Sequence, residues 1–527
     1  MTANYRQSDT RDQVAELARL CARLPLALRI ASERAAARPQ MPLRELITDL
    51  RSESSLWDAL AAEEETEADT VRSVFAWSYR ALPAAAGRVF RLLGLHPGSD
   101  FGIGAAAALA AALPDQIKAH LDLLTGVHML EQTAATRYQF HDLLRAYAVS
   151  QTHREDDIDH QRGAILRVAQ WYLHSARAAS AAAQSLYRPI ALSAHDPSVQ
   201  PLSFTDYTAA MEWFATERAN LLALVRAVQA EGLDEITWQM ALILSPLYAA
   251  HAAFDDWLET TARALGSARR LESTKAQAAL QQMRGMAHRA VGDLPTASGC
   301  HYIALDLFTN LGDEHGVLEA SNSLGLIHLE RRELKHAEQR FERCLAAARD
   351  TGQHAWVATT LDNLAGTHVE AGRFDTAVDL AAQALELCRS TGIDPWLHID
   401  PLLTLARIDR ETGRLAQAQS RLRAAAQIID DGVVYHTLEY AIHREQAALA
   451  LTRGEHEQAI DGFRRCVNLS RALADRRREA LALDGIGQTL HSQGRPDEAV
   501  GFHHAASTLL RERANPRETA EALAHLA

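Results

Sequence analysis

The sequence predicts an all-α protein in which a smaller N-terminal helical region precedes a long array of helical hairpins. The first observation behind this is composition. Helix-forming alanine and leucine are abundant, whereas the 527 residues include only 15 prolines, 27 glycines and 6% aromatics. The second observation is a regular spacing of small residues in the second half. Because the chain exceeds the about 100–200 residues of one domain, at least two domains are expected.

Charge and cysteine content exclude several classes of function. The formal net charge is −13, which gives no global field that would attract nucleic acid or an anionic membrane. No stretch approaches the roughly 18 consecutive apolar residues of a membrane-spanning helix, and the N-terminus is polar. We therefore expect a cytoplasmic protein. Isolated cysteines without a CxxC motif are expected to be small core residues in a reducing compartment: Cys21, Cys300, Cys344, Cys388 and Cys466.

The spacing is carried by alanines that recur every 40 or 41 residues: Ala297, Ala337, Ala377, Ala418, Ala459 and Ala499. Five residues before each alanine stands a glycine, except for Arg332. Twelve residues before each alanine stands another small residue: Gly285, Gly325, Ala365, Ala406, Ala447 and Gly487. The glycine suits the left-handed conformation that ends a helix, and the small residues allow two helices to approach closely. Each unit is therefore predicted to be a pair of antiparallel helices.

This pattern resembles the tetratricopeptide repeat, although its units are longer than the family's usual length of about 34 residues. A degenerate seventh unit fits upstream, with Ser245, Ala252 and Trp257 in the corresponding places. A HEAT-type array fits the length of the units but not their glycine and alanine spacing. The resemblance implies a superhelical solenoid whose concave face is lined by the first helix of each unit.

The register of that family places a set of polar residues on the concave face. These candidate ligand-binding residues are Gln282, Arg289, Asn322, Glu330, Asp362, Glu370, Arg410, Glu411 and Asp484. Their acidic balance suits a partner segment that carries Lys or Arg; the alternative is a solvated face without a ligand. His288, His328 and His368 occupy one position of three successive repeats. They are either a metal-binding or pH-sensing ladder or histidines at a packing position.

Four segments of the first half resemble STAND-class ATPases, in particular the NB-ARC, winged-helix and tetratricopeptide regulators of actinobacterial antibiotic pathways. CARLPLALRIA (21–31) is similar to the motif that ends the ATPase core, and SYRALPAAAGRVFRLLGLHPG (78–98) to the start of the winged-helix domain. YQFHDLLRAYA (138–148) stands in place of the methionine-histidine-aspartate motif. AMEWFATERANLLALV (210–225) resembles the segment between winged helix and repeats.

The resemblance implies nucleotide contacts at two positions. Pro25 would pack on adenine and His141 would touch the β-phosphate of ADP; otherwise they are a helix opener and a capping residue. Arg23 replaces a glycine of the family, and Phe140 replaces its frequent methionine. No GxxxxGK[ST] sequence occurs, so nothing in this chain cradles phosphates. We therefore treat these contacts as vestigial and predict no cofactor and no ATP hydrolysis.

The motifs divide the chain into four parts. These are a helical remnant of the ATPase module (1–66), a winged-helix-like domain (67–150), a helical connector (151–235) and a tetratricopeptide array of about seven hairpins (236–527). The family's DNA-binding domain is missing, so we expect either a natural short protein or part of a longer one. The candidate recognition helix, 116–130, offers few side chains that read bases, which argues against direct binding of nucleic acid.

The leading functional hypothesis is a regulatory sensor or scaffold. Its array would bind a protein segment or a small effector and control transcription of secondary metabolism, with a P-loop ATPase or a DNA-binding regulator as partner. The alternatives are a stand-alone receptor for a peptide or small molecule, and an unrecognised enzyme. Because HExxH, GxSxG and DxDxDG motifs are absent, we predict no catalytic residues and no metal site. The sequence does not indicate an oligomeric state.

Overall fold

A computed structural model describes residues 11–21, 24–38, 40–58, 67–182, 190–430, 436–473, 475–511 and 524–525. The chain divides into two compact units. The first comprises 1–178, 191–203 and 216–231, and the second comprises 179–190, 204–215 and 232–527. In the described residues the architecture is all-α apart from three short strands.

The helices of the N-terminal half are short at first and longer towards the array. Their bounds are α1 Arg11–Leu20, α2 Pro25–Ala37, α3 Leu43–Asp58, α4 Glu67–Arg80, α5 Ala84–Leu93, α6 Ile103–Ala110, α7 Pro114–Gly126, α8 Asp142–Glu155, α9 Ile158–Ala182 and α10 Tyr207–Ala230. Proline at the first position opens α2 and α7, because the missing N–H would have no intrahelical acceptor there.

A small antiparallel sheet accompanies helices α5 to α8. Its strands are β1 Asp100–Gly102, β2 Glu131–Ala134 and β3 Arg137–Gln139, in the order β1-β3-β2. Strand β3 contains Tyr138 and leads through Phe140 into α8. The Phe140 ring packs edge-on against Phe90 of α5 at 5.3 Å between centroids. This aromatic contact joins the sheet to the helices of the first unit.

A buried polar cluster holds the part of α10 that belongs to the first unit, around Glu217. Arg137 of β3 donates to Asp100 of β1 at 2.6 Å and also pairs with Glu217 of α10. The Tyr172 hydroxyl and the Asn220 amide donate to the other Glu217 oxygen at 3.0 and 2.7 Å. Because each charge has charged and hydrogen-bonding partners, Glu217 can be buried. The segment that resembles the family's connector thus gains a defined structural role.

Seven helical hairpins form the rest of the second unit, and each consists of a first and a second helix. Hairpins 1 to 4 are α11 Asp234–Ala250 with α12 Phe254–Arg270, α13 Thr274–Ala290 with α14 Leu294–Leu311, α15 Glu314–Glu330 with α16 Leu334–Asp350, and α17 His354–Glu370 with α18 Phe374–Thr391. Hairpins 5 to 7 are α19 Ile399–Glu411 with α20 Leu415–Asp430, α21 His436–Thr452 with α22 His456–Ala472, and α23 Arg476–Ser492 with α24 Pro496–Arg511. A 3-10 helix, Pro395–His398, precedes α19.

The turns inside the hairpins have the left-handed residue that the glycine spacing predicted. Gly292 and Gly372 have φ values of 85° and 71°. Arg332, which replaces the glycine in hairpin 3, adopts the same conformation with φ 58°. A side chain at positive φ is unfavourable, so the turn of hairpin 3 is locally strained.

The small residues of the first helices allow second-helix side chains to lie directly against the backbone. A Cβ at Gly325 would stand 2.5 Å from the Phe341 ring. At Gly285 the corresponding neighbour is His301, at 2.6 Å. The repeated small residues are therefore required by close packing of the two helices in each hairpin.

The five cysteines are free and buried, as their apolar surroundings predicted. Burial raises the pKa of Cys466 to about 12 and that of Cys388 to about 11, which disfavours the reactive thiolate. Among the described residues, no helix combines the length and the apolar character needed to cross a membrane.

Candidate binding surface on the helical array

The first helices form the inner layer of the array. Each contacts the first helix of the next hairpin, as α13 does with α15 and α15 with α17. No comparable contact joins successive second helices in the described part of the chain. Helices converge on the concave side of a curved stack, so the first helices line its inner face, as the register predicted.

Several of the predicted inner residues bond to each other across neighbouring hairpins. Arg289 of hairpin 2 donates to Glu330 of hairpin 3 at 2.7 Å. The Gln282 amide donates to Ser323 at 3.0 Å in the same pair of hairpins. Asn322 accepts from Asn363 of hairpin 4 at 2.8 Å. These contacts hold successive first helices in register.

Glu370 and Glu411 continue this ladder. Glu370 accepts from Arg332 and from Arg407, each at 2.9 Å, and so joins three hairpins. Arg407 also donates to Glu411 at 2.9 Å. Arg410 lies 3.5 Å from Glu445 of hairpin 6 and 3.6 Å from Glu411. The carboxylates at 370 and 411 are therefore balanced by arginines of the chain itself.

Two other predicted residues hold buried histidines of their own hairpins. His301 Nδ1 lies 2.8 Å from Gln282 Oε1, and His503 Nδ1 lies 2.7 Å from Asp484 Oδ1. Both histidines are buried, and burial lowers the pKa of His301 to about 3. The polar groups of Gln282 and Asp484 thus already serve internal contacts.

Asp362 differs from the rest of the predicted set. It lies on α17, and its Oδ1 atom is buried without a hydrogen-bond partner among the described residues. Desolvation and the charge of Asp400 raise the pKa of Asp362, while the Thr404 hydroxyl partly offsets this. Neither aspartate forms an ion pair in the described part of the chain. The two carboxylates therefore form a pair whose ionised forms are disfavoured.

Asp400 was missed because it does not occupy the repeat position of Asp362. The 41-residue spacing continues into hairpin 5 and leads from Asp362 to Leu403, which is buried. The 3-10 helix Pro395–His398 takes the place of the first turn of a longer first helix, so α19 begins only at Ile399. Asp400 stands one helical turn earlier, in the first turn of α19. Desolvation raises the pKa of Asp400 too, to about 6.

The three histidines at equivalent positions each end a first helix and pair with a carboxylate. His288 Nδ1 lies 3.2 Å from Asp293, and His328 Nδ1 lies 2.6 Å from Glu333. His368 Nε2 instead lies 3.6 Å from Glu338 of the preceding hairpin. Among the described residues no ring contact joins two of the three. His288 and His328 therefore pair within their own turns, whereas His368 pairs with the preceding hairpin, and the three rings do not stack on one another.

The two vestigial nucleotide positions both begin helices. Pro25 is exposed at the first position of α2, and exposed His141 caps α8 by accepting from the Leu143 N–H at 3.4 Å. Arg23 lies outside the described residues. These local roles account for both residues without a nucleotide, and the nucleotide contacts stay a prediction.

Family models confirm the repeats. A model described as tetratricopeptide repeat matches residues 275–350, 337–390 and 356–431. A second model with the same description matches residues 482–517. The predicted register of small residues thus belongs to tetratricopeptide repeats.

Two curated regulatory proteins are similar to this chain over most of its length. The regulatory protein AfsR of Streptomyces griseus is 29% identical over 517 residues, which cover 97% of this chain and 51% of that protein. AfsR of Streptomyces coelicolor is 31% identical over 402 residues, which cover 73% of this chain and 39% of that protein. The chain thus spans about half or less of the length of these relatives.

Solved structures with helical repeats are also similar. A Rap protein complexed with competence and sporulation factor has a TM-score of 0.46 at 10% identity, over 66% of this chain and 97% of that one. A STAND protein with a tetratricopeptide repeat sensor from Pyrococcus horikoshii has a TM-score of 0.36 at 12% identity, over 95% and 75% of the two chains. Scores below 0.5 do not establish a shared overall arrangement.

Proposed function

This chain is a homologue of the AfsR regulatory proteins with tetratricopeptide repeats, and from that premise we propose that it is a regulatory sensor. The inner face of its array binds an extended segment of a partner protein or a peptide. A basic side chain or an amino group of that segment occupies the site formed by Asp362 and Asp400. The relatives are regulatory proteins, which favours this role over catalysis.

The observation that carries the proposal is the buried Asp362 Oδ1 atom, which has no hydrogen-bond partner among the described residues and lies near a second carboxylate, Asp400. An aspartate oxygen without a hydrogen bond in a desolvated position is costly, and a second carboxylate nearby increases the cost. A ligand cation removes both penalties at once, because it supplies N–H donors and an opposite charge. Other acidic residues of this face, Glu330, Glu370 and Glu411, already have arginine partners.

Occupancy of the array would be passed on to a P-loop ATPase or a DNA-binding regulator, in control of secondary metabolism. This part of the proposal rests on the similarity to AfsR proteins, of which the chain covers about half or less. A stand-alone peptide receptor uses the same site without such a partner. One measurement distinguishes the regulatory sensor from the stand-alone receptor. The P-loop ATPase part or the DNA-binding part of an AfsR relative is added as a separate purified protein, and its binding to this chain is measured with and without the peptide.

The site is tested by removing one charge without changing the shape of the side chain. A labelled random heptapeptide library is separated into pools that contain Lys or Arg and pools that do not, and binding to the intact chain is measured by fluorescence anisotropy. We expect the basic pool to bind the wild-type chain. Asp362→Asn should weaken this binding at least about tenfold, because a buried charge-assisted contact contributes about 1.5–3 kcal/mol.

Asp379→Asn is the matched control, because Asp379 is an exposed carboxylate on the outer helix of the same hairpin. It should leave affinity unchanged. Equal binding of basic and acidic pools, or equal loss in both variants, would contradict the proposal. Reversing Glu330, Glu370 or Glu411 is a poorer test, because it also breaks the internal ion pairs that join hairpins.

A further inference from the structure

We propose that His328, Glu333 and His336 form a binding site for a first-row divalent metal ion such as Zn²⁺. These three residues follow no known metal-binding motif, so the sequence predicted no metal site. The site lies at the turn of hairpin 3, away from the aspartate pair of the proposed function, and does not depend on that function.

The three side chains already converge. His328 lies in the last turn of α15, Glu333 stands in the turn between the helices, and His336 lies in the first turn of α16. One potential ligand atom from each lies within 4.8 Å of the other two. The His328 and His336 rings are 5.5 Å apart between centroids, and Glu333 Oε2 is 2.6 Å from His328 Nδ1.

The donor set matches the chemistry of Zn²⁺. Two imidazole nitrogens and one carboxylate oxygen are protein ligands with bonds of about 2.0–2.2 Å, and a water molecule can complete a tetrahedral site. Such bonds place ligand atoms on the order of 3.4 Å apart. His336 is exposed, so rotation of its side chain can close the remaining distance. Glu333 precedes α16 but does not cap it through its side chain, so its carboxylate is available to an ion.

The ligand His336 has no counterpart in the two neighbouring hairpins. Hairpin 2 repeats the histidine and the acid, as His288 and Asp293, but has Thr296 where His336 stands. Hairpin 4 keeps His368, but Arg373 replaces the acid and Thr376 the second histidine. The equivalent turns of hairpins 2 and 4 therefore provide natural comparisons that lack part of the ligand set.

Nearby positive charge limits the affinity but does not exclude the ion. Arg331 stands two residues before Glu333, and its charge disfavours a cation at this turn. Arg332 is engaged by Glu370 at 2.9 Å. A bound ion would connect the end of α15 to the start of α16 across the strained turn at Arg332. It would thereby stabilise the turn whose Arg332 pairs with Glu370 of the next hairpin.

The site is tested by titrating the intact chain with Co²⁺, whose visible absorption reports tetrahedral coordination, followed by competition with Zn²⁺. His336→Thr copies the residue found in hairpins 2 and 4 and alters an exposed side chain only. We expect it to abolish one equivalent of bound Co²⁺ and the rise in melting temperature that Zn²⁺ causes at that site. His354→Thr, at an exposed histidine that begins α17, is the control and should keep both.

A second group of three potential ligands, Asp484, His503 and His525, lies in the last hairpin and the adjoining 524–525 segment. His525→Ala therefore shows whether an equivalent of Co²⁺ binds at this second group. It should leave the Co²⁺ absorption of the hairpin 3 site unchanged. Unchanged stoichiometry and spectrum in His336→Thr would overturn the proposal, as would equal losses in His336→Thr and His354→Thr. Peptide binding by these variants is expected to persist, which separates this test from that of the aspartate site.

Discussion

Individual charged residues of the array fall into two groups according to their partners. Glu370 is neutralised by arginines from two neighbouring hairpins, and Asp484 accepts from a buried histidine. Asp362 has no cation, and its pKa is raised by desolvation and by Asp400. Side chains of the first group hold the array together, whereas Asp362 costs stability that a ligand can recover. This difference, and not the acidic composition of the face, indicates where a ligand binds.

The raised pKa of Asp362 predicts how stability depends on pH. The folded state holds this proton more tightly than the unfolded state, so stability from protonation is present at about pH 4 and is lost as pH rises through the folded pKa towards neutrality. As pH rises from 4 to 7, the free energy of unfolding of Asp362→Asn should therefore increase by at least about 1 kcal/mol relative to that of wild type. Urea unfolding at several pH values measures this difference. Parallel curves for the two proteins would refute it, and Asp379→Asn should run parallel to wild type.

At the scale of helices and turns, one 40- or 41-residue plan is repeated with local substitutions. Gly325 leaves space for Phe341, and Gly285 leaves the equivalent space for His301. The turn glycines have positive φ, and Arg332 is forced into the same conformation because its hairpin has the same geometry. Tertiary packing thus overrides the preference of a single residue.

The strain at Arg332 can be measured by comparing two variants that both lose its ion pair with Glu370. Arg332→Gly removes the ion pair and the strain, whereas Arg332→Ala removes only the ion pair. We expect the glycine variant to be about 1 kcal/mol more stable than the alanine variant, since a left-handed residue with a Cβ costs roughly 1–2 kcal/mol and glycine recovers most of this. Thermal and urea unfolding give the value. Equal stability would mean that this turn stores no strain.

At the scale of the array, each hairpin contacts mainly its neighbours, so stability should vary along the stack. Four of the buried thiols lie in the second helices of different hairpins and can report this variation. They are Cys300 in hairpin 2, Cys344 in hairpin 3, Cys388 in hairpin 4 and Cys466 in hairpin 6. Each is protected by burial, so a thiol reagent reaches it only when its hairpin opens.

Thiol labelling followed by peptide mass spectrometry should therefore show almost no reaction in the native chain at neutral pH. In mild urea we expect Cys300 and Cys466 to react before Cys344 and Cys388, because opening that begins at either end of the array reaches hairpins 2 and 6 before hairpins 3 and 4. Simultaneous labelling of all four would instead show that the array opens as one cooperative unit. Full labelling in strong denaturant confirms that each thiol is intrinsically reactive.

Much of the architecture follows from the sequence alone, because local rules produce it. Alanine and leucine favour helices, a glycine five residues before each repeated alanine ends the first helix, and small residues permit close helix pairs. Those rules predicted the hairpins, the inner helices and the buried cysteines. They also predict that Gln282, Arg289, Asn322 and Glu330 share one face, since a regular repeat carries a register from unit to unit.

Only the tertiary structure decided what those residues do. Whether a carboxylate is paired depends on side chains about 40 residues away, as with Arg289 and Glu330 or Arg407 and Glu370. Asp400 was missed because it stands three residues before the position equivalent to Asp362, in the first turn of α19. His336 meets His328 only because the turn brings two helix ends together. Spacing along the chain specifies which face of the array a residue occupies. Its partners in neighbouring hairpins determine whether its charge is already paired, and hence whether it can bind a ligand.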